Sequence, residues 1–225
     1  MRSKNTNSID VGVPLLVYVI IFFSIINFKN ANAHDHWILP SNFNPNVGDT
    51  VEIYVRSGHH FPESEMALSD KIVHEVFVIT PDNQKVNIST TIDDKERKGK
   101  YGVSQDGIHR ILFTLKRKLS SEPNYYGMSY FSTKQSTDKK CDQVEYIKLK
   151  IIPRFDNGKI NSFQSFYDNN PLSTTLNIYS DTGKNYSRIT DKQGILKNPF
   201  ESDGCYLITT SSSGITTSLT VKYEK

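Results

Sequence analysis

Cysteine is almost absent from this chain: Cys141 and Cys205 are the only two among 225 residues. Two cysteines exclude a disulfide scaffold and a four-cysteine zinc site. An excess of one charge is lacking too. The formal net charge is +3, and Arg2, Lys4 and Lys29 against Asp10 account for two of those charges within the first 33 residues. That balance leaves no electrostatic footprint for nucleic acid, and no nucleic-acid partner is expected. Past residue 33 no stretch holds a helical period, and no nucleophile elbow, P-loop or HExxH motif is present. The carboxylates Asp93 and Asp94 fall in a charged run (DDKERKGK) read as a solvated turn, and the serines near Ser211 have no recognisable base. Hydrolase chemistry has no footing here.

What is abundant is aromatic. Twelve Tyr and 12 Phe bring the aromatic share to 11%, too high for a disordered chain and suited to a β-rich fold. Short apolar runs recur at Thr50 to Val55, Ile72 to Ile79, His109 to Leu115 and Tyr146 to Ile152. Turn residues separate them at Asn46-Val47-Gly48, Pro81-Asp82-Asn83 and Asp106-Gly107. This predicts an Ig-like β-sandwich over 34–152. Pro153 to Asn161 reads as a linker. Strands at Ser162 to Tyr167, Thr175 to Tyr179, Gly204 to Thr210 and Thr216 to Tyr223 then predict a smaller sandwich over 162–225. The fold class expected is all-β, two tandem β-sandwiches after a leader.

The leader is the one long apolar run, Val11 to Phe28, preceded by Arg2 and Lys4 and followed by Ala31-Asn32-Ala33. Basic, apolar and small-x-small segments in that order describe a secretory signal peptide over 1–33, cut before His34. The alternative is an uncut N-terminal membrane anchor. Cleavage implies a periplasmic or secreted protein, in which Cys141 and Cys205 either pair across the expected domain boundary or remain free thiols. Asn87-Ile88-Ser89 and Asn185-Tyr186-Ser187 match glycosylation acceptors, which matter only in a eukaryotic secretory pathway.

Four of the six histidines crowd between residues 34 and 60: His34, His36, His59 and His60. A chain beginning His34-Asp35-His36 offers its amine, two deprotonated amides and one His36 imidazole as four in-plane nitrogens, a set that selects Cu(II) or Ni(II). Alternatively, the amine and ring of His34 clamp a metal together with a distant histidine, as a brace. His59 and His60 follow a strand end, and Gly58 and Pro62 allow the turn that would aim both rings at one ion. Glu63 and Glu65 stand close behind as ligands or as acceptors for an imidazole N–H. The remaining two histidines read as satisfied core-face residues: His74 beside Ile72, Val76 and Val78, and His109 beside Ile111, Phe113 and Leu115. Trp37 and Phe61 are expected to cover apolar surface.

Ala33-His34-Asp35-His36-Trp37-Ile38-Leu39-Pro40-Ser41, Pro45-Asn46-Val47-Gly48 and Gly58-His59-His60-Phe61-Pro62 together resemble a bacterial periplasmic family of unknown function. That family is grouped with NikM-like, extracytoplasmic components of nickel and cobalt uptake. The segments Asp168 to Leu172, Asp191 to Gly194 and Gly204 to Leu207 are similar to a small carboxypeptidase-regulatory or transthyretin-like sandwich. His34, His59 and His60 match the family's histidine positions. His36 stands where many members have another residue, and Thr209 to Ser213 lacks a histidine that many carry there.

The resemblance implies a non-enzymatic protein that captures Ni(II) or Co(II) through His34, His36, His59 and His60. It would present the ion to an inner- or outer-membrane transporter. Cu(II) and Zn(II) are the other ions such a donor set admits. Two alternatives stay open: a copper oxidoreductase built on a histidine brace at His34, and a structural or adhesive tandem sandwich in which the histidines are incidental.

Overall fold

The computed structural model describes residues 34–116, 122–133, 147–156 and 159–225. The expected signal peptide and Cys141 lie outside them. Among the described residues there is no helix, and therefore none long and apolar enough to cross a membrane. The all-β expectation holds.

The strands run in chain order as follows. The first are β1 (Asp35–Pro40), β2 (Thr50–Gly58), β3 (Val73–Ile79) and β4 (Lys85–Asn87). Next come β5 (Thr90–Asp93), β6 (Glu96–Gly102), β7 (Ile108–Leu115) and β8 (Tyr125–Ser132). Then follow β9 (Leu149–Asp156), β10 (Lys159–Tyr167), β11 (Asn170–Pro171) and β12 (Thr175–Ser180). The last are β13 (Asn185–Ile189), β14 (Ile195–Lys197), β15 (Gly204–Ser212) and β16 (Ile215–Tyr223).

Three sheets form. The first has the order β1-β2-β6-β5, and the second, eight-stranded, runs β13-β12-β15-β16-β8-β7-β3-β4. The third is β11-β10-β14 with β9 on β10. The eight-stranded sheet is the middle layer. One of its faces sets Val76, Val78, Ile111 and Phe113 against Ile38, Val51, Ile53 and Val55 of the first sheet. The other sets Phe77, Leu112, Met128, Ile178, Ile208 and Leu219 against Ile151, Ile152, Ile160 and Phe163 of the third. A strand covered on both faces reads as a continuous apolar run, and all eight residues of β7 are buried. Gly127 belongs to this close packing, since a Cβ there would lie 1.8 Å from Phe113.

The two expected sandwiches therefore share a sheet. β16, from the C-terminal half, pairs in parallel with β8, from Thr216↔Tyr125 to Thr220↔Ser129. Of residues 153–161, expected as a linker, 153–156 end β9 and 159–161 begin β10, paired as Lys159↔Asp156 and Ile160↔Phe155. Among the described residues β9 pairs with β10 alone, and proline is tolerated on such an edge strand at Pro153.

Two smaller expectations change. The charged run around Asp93 and Asp94 is the β5–β6 hairpin, turning at Asp94 with φ of 51°. Arg97 within it is buried, with Nη2 2.7 Å from Asp70 and Nη1 donating to the Leu68 carbonyl at 2.9 Å. His74 is exposed, and so is Ile72. The β3–β7 register shifts between Val73 and Glu75, and that bulge leaves His74 unpaired and off the core face.

His109, by contrast, is fully buried and satisfied. Its Nε2–H donates to the Gln105 carbonyl at 3.0 Å, and its Nδ1 accepts from the Tyr101 hydroxyl at 3.1 Å. Both contacts suit the neutral ring, and burial lowers its pKa. The unfolded chain takes up a proton near pH 6.5 while the folded one does not, so stability falls as pH drops below that point. Urea unfolding between pH 8 and pH 5 should show this loss, with a shallower slope in His109→Gln; an unchanged slope would contradict it.

Candidate metal centre

The site begins with the pairing of β1 and β2. Asp35 sits opposite Gly58 and His36 opposite Ser57, which brings His34 alongside His59 just past the strand ends. Their ring centroids are 4.1 Å apart. Residues 59–65 then fold back on β2. The Glu65 N–H donates to the Ser57 carbonyl at 2.8 Å, and Ser64 Oγ donates to the Lys95 carbonyl at 2.7 Å. Arg56, ion-paired with Glu96 at 2.6 Å, also donates to the Pro62 carbonyl at 3.2 Å. Gly58 makes this return possible, because a Cβ there would meet Glu65 Cγ at 3.0 Å and the Glu63 carbonyl at 3.2 Å.

Glu65 is the centre of the loop. Its Oε1 accepts the His59 backbone N–H at 2.9 Å and lies 2.9 Å from His60 Nδ1. Its Oε2 lies 3.0 Å from His59 Nδ1 and 3.7 Å from His34 Nε2. The His59 backbone N–H, then the two imidazoles, push its pKa down to about 2. One carboxylate thus fixes two rings through their Nδ1–H groups. Ligand atoms of His34, His59 and Glu65 all lie within 4.8 Å of one another. Of the four histidines expected from sequence, His34 and His59 are in this group. His60 is at its rim, with a side chain 85% exposed.

His36 is held elsewhere. Its Nδ1 is 2.9 Å from Ser57 Oγ and its ring packs edge-on to Tyr125. Burial, then the neighbouring His34, lowers its pKa to about 4. Its backbone N–H donates to the Tyr125 hydroxyl at 3.0 Å, and that hydroxyl donates to the His36 carbonyl at 2.8 Å. Successive amides of an extended strand point to opposite sides, so a four-nitrogen chelate at His34–His36 requires the start of β1 to leave β2. Glu63 is exposed and outside the group.

Some of the surroundings have no signal in the sequence. Asp35, half-buried at the start of β1, has its pKa raised by burial. Trp37, fully buried against Phe61 and Leu207, fills the same side of β1. Cys205 beside them is a free thiol, its pKa raised by burial and then by Asp181.

Residues 31–152, which contain every residue of this group, match the family described as Domain of unknown function (DUF4198). The chain belongs to the DUF4198 family. No curated protein matches the DUF4198 chain. Solved structures similar to it include a DUF4785 family protein from Legionella pneumophila, 10% identical over 80% of this chain and 52% of that one, with a TM-score of 0.34. The chain thus spans about half of that protein's length. Others are the BSP domain of a biofilm-associated protein (16% identity, 90% and 31% covered, TM-score 0.27) and the D0-D1 domain of intimin (10%, 84% and 97%, 0.27).

Replacing Tyr125 by Phe removes the hydroxyl that satisfies both backbone groups of His36. The loss should destabilise the fold by about 1–3 kcal/mol in urea unfolding, the cost of unpaired buried polar groups. A change below about 0.5 kcal/mol would mean that water replaces the hydroxyl at no cost.

Proposed function

We propose that this protein is an extracytoplasmic, non-enzymatic metal-binding protein. It captures Ni(II) or Co(II) between His34, His59 and Glu65 and presents the ion to a membrane transporter. One observation carries the reading: two imidazoles and a carboxylate, drawn from a strand start and a pinned loop, lie within 4.8 Å of one another. Imidazole nitrogen with a carboxylate oxygen suits nickel and cobalt, and also admits zinc and copper. The exposure of His59 and Glu65 suits cargo that must leave again. The apolar Val11 to Phe28 run and the Ala31-Asn32-Ala33 site support export, and the resemblance to NikM-like uptake components supports delivery.

Isothermal titration of the exported protein with Ni(II) and Co(II) tests this. His34→Ala, His59→Ala and Glu65→Ala should each weaken binding by at least about tenfold, while His36→Gln stays within about threefold. Saturating ion should raise stability by about 2–3 kcal/mol at 100 times Kd. If no divalent ion changes the stability, the histidines are incidental and the structural reading stands instead. A second reading rests on the 4.1 Å approach of the His34 and His59 rings. With a free amine at His34, these rings form a copper brace, and copper-dependent oxygen reduction in the presence of a reductant would favour that enzyme.

A further inference from the structure

Toward the other end of β8 from Tyr125, the middle and third sheets part. Ile108 at the start of β7, Tyr130 of β8 and Val221 of β16 stand across from Phe155 of β9 and Ile160 of β10, and a cavity of about 400 Å³ lies between them. Ile108, Tyr130, Ile160 and Val221 are buried, while Phe155 is half-buried. Phe43, from the loop after β1, closes one side, and the Ser132 N–H holds its carbonyl at 3.1 Å. Apposed sheets pack until few voids exceed a water molecule. An opening of this size instead falls in the range of small-molecule sites, about 300–1,000 Å³.

The rim has the opposite chemistry. Lys159, Lys222 and Lys225 border the cavity, all of them exposed, and Glu224 is the one carboxylate among the described lining residues. Glu224 is paired with Lys222 at 2.7 Å, which leaves Lys159 and Lys225 to meet an anion. We propose that this cavity binds a medium-chain fatty acid, with the acyl chain between the two sheets and the carboxylate at Lys159 and Lys225. Apolar walls within and cations at the rim match that order of groups. None of these residues belongs to the group at His34, His59 and Glu65, so the inference is independent of the ion reading.

Isothermal titration of the metal-free protein with decanoate, below its micelle concentration, tests this against decanol, an uncharged chain of equal length. Decanoate should bind, and decanol about fivefold more weakly, the upper end for an ion pair at an exposed rim. Lys159→Gln/Lys225→Gln should cost decanoate about the same factor and leave decanol within about 1.5-fold. Ile160→Trp should fill the cavity and abolish binding of both.

Methyl NMR of the wild type locates the ligand without any variant. Decanoate should shift the resonances of Ile108, Ile160 and Val221 and leave those of Ile38 and Val55, in the other core, in place. No binding of either compound, equal affinity for the two, or methyl shifts away from Ile108, Ile160 and Val221 overturns the inference.

Discussion

Strand β1 is held on both faces and along its free edge, and the rest of the site follows from that. Ile38 enters the core against the first face of the central sheet, while Trp37 and Leu39 enter the cluster around Leu207. Along the edge away from β2, the Tyr125 hydroxyl donates to the carbonyl of His36 and accepts from its N–H, as a neighbouring strand would. A shift of one residue would exchange the two faces and send Ile38 to the Trp37 side, so the register is strongly specified. His34 has its place because Asp35 is locked opposite Gly58.

The loop after β2 meets that fixed point with a second one. Glu65 could orient imidazoles from a mobile loop only at a cost in ordering entropy. Here Ser57, Ser64 and Arg56 have already fixed the backbone, and the carboxylate is ionised across the physiological range. The result is a set of donors arranged before any ion arrives. The two halves of the chain meet behind it, through the parallel β8–β16 pairing and through the packing of Trp37 against Leu207.

Sequence reveals part of this and misses the rest for physical reasons. The runs at Thr50, Ile72, His109 and Thr216 are legible as strands because β-branched and aromatic residues cluster there. β8 (YYGMSYFS) is not, since its glycine and serines look like a loop; Gly127 is there because Phe113 occupies the space a Cβ would need. β6 (ERKGKYG) hides behind its charges, although Arg97 points inward. Alternation cannot show a middle sheet covered on both faces, so two separate sandwiches were the natural expectation where one sheet is shared. At the site, Glu65 was legible beside His59 because only five residues separate them. His36 looked equivalent to His34, yet its ring is held by the Ser57 hydroxyl and by Tyr125. Trp37 and Leu207 gave no sign of one another, because their contact depends on how the C-terminal half folds over β1.

Nickel K-edge X-ray absorption on the exported, Ni(II)-loaded protein separates an ion held by His34, His59 and Glu65 from one held at the chain terminus. The first arrangement gives scattering from two imidazoles with oxygen donors in a non-planar site, reduced to one imidazole in His59→Ala. A square-planar signature with four nitrogens and a single imidazole, unchanged in His59→Ala but lost in His36→Gln, would place the ion on the chain terminus and contradict it.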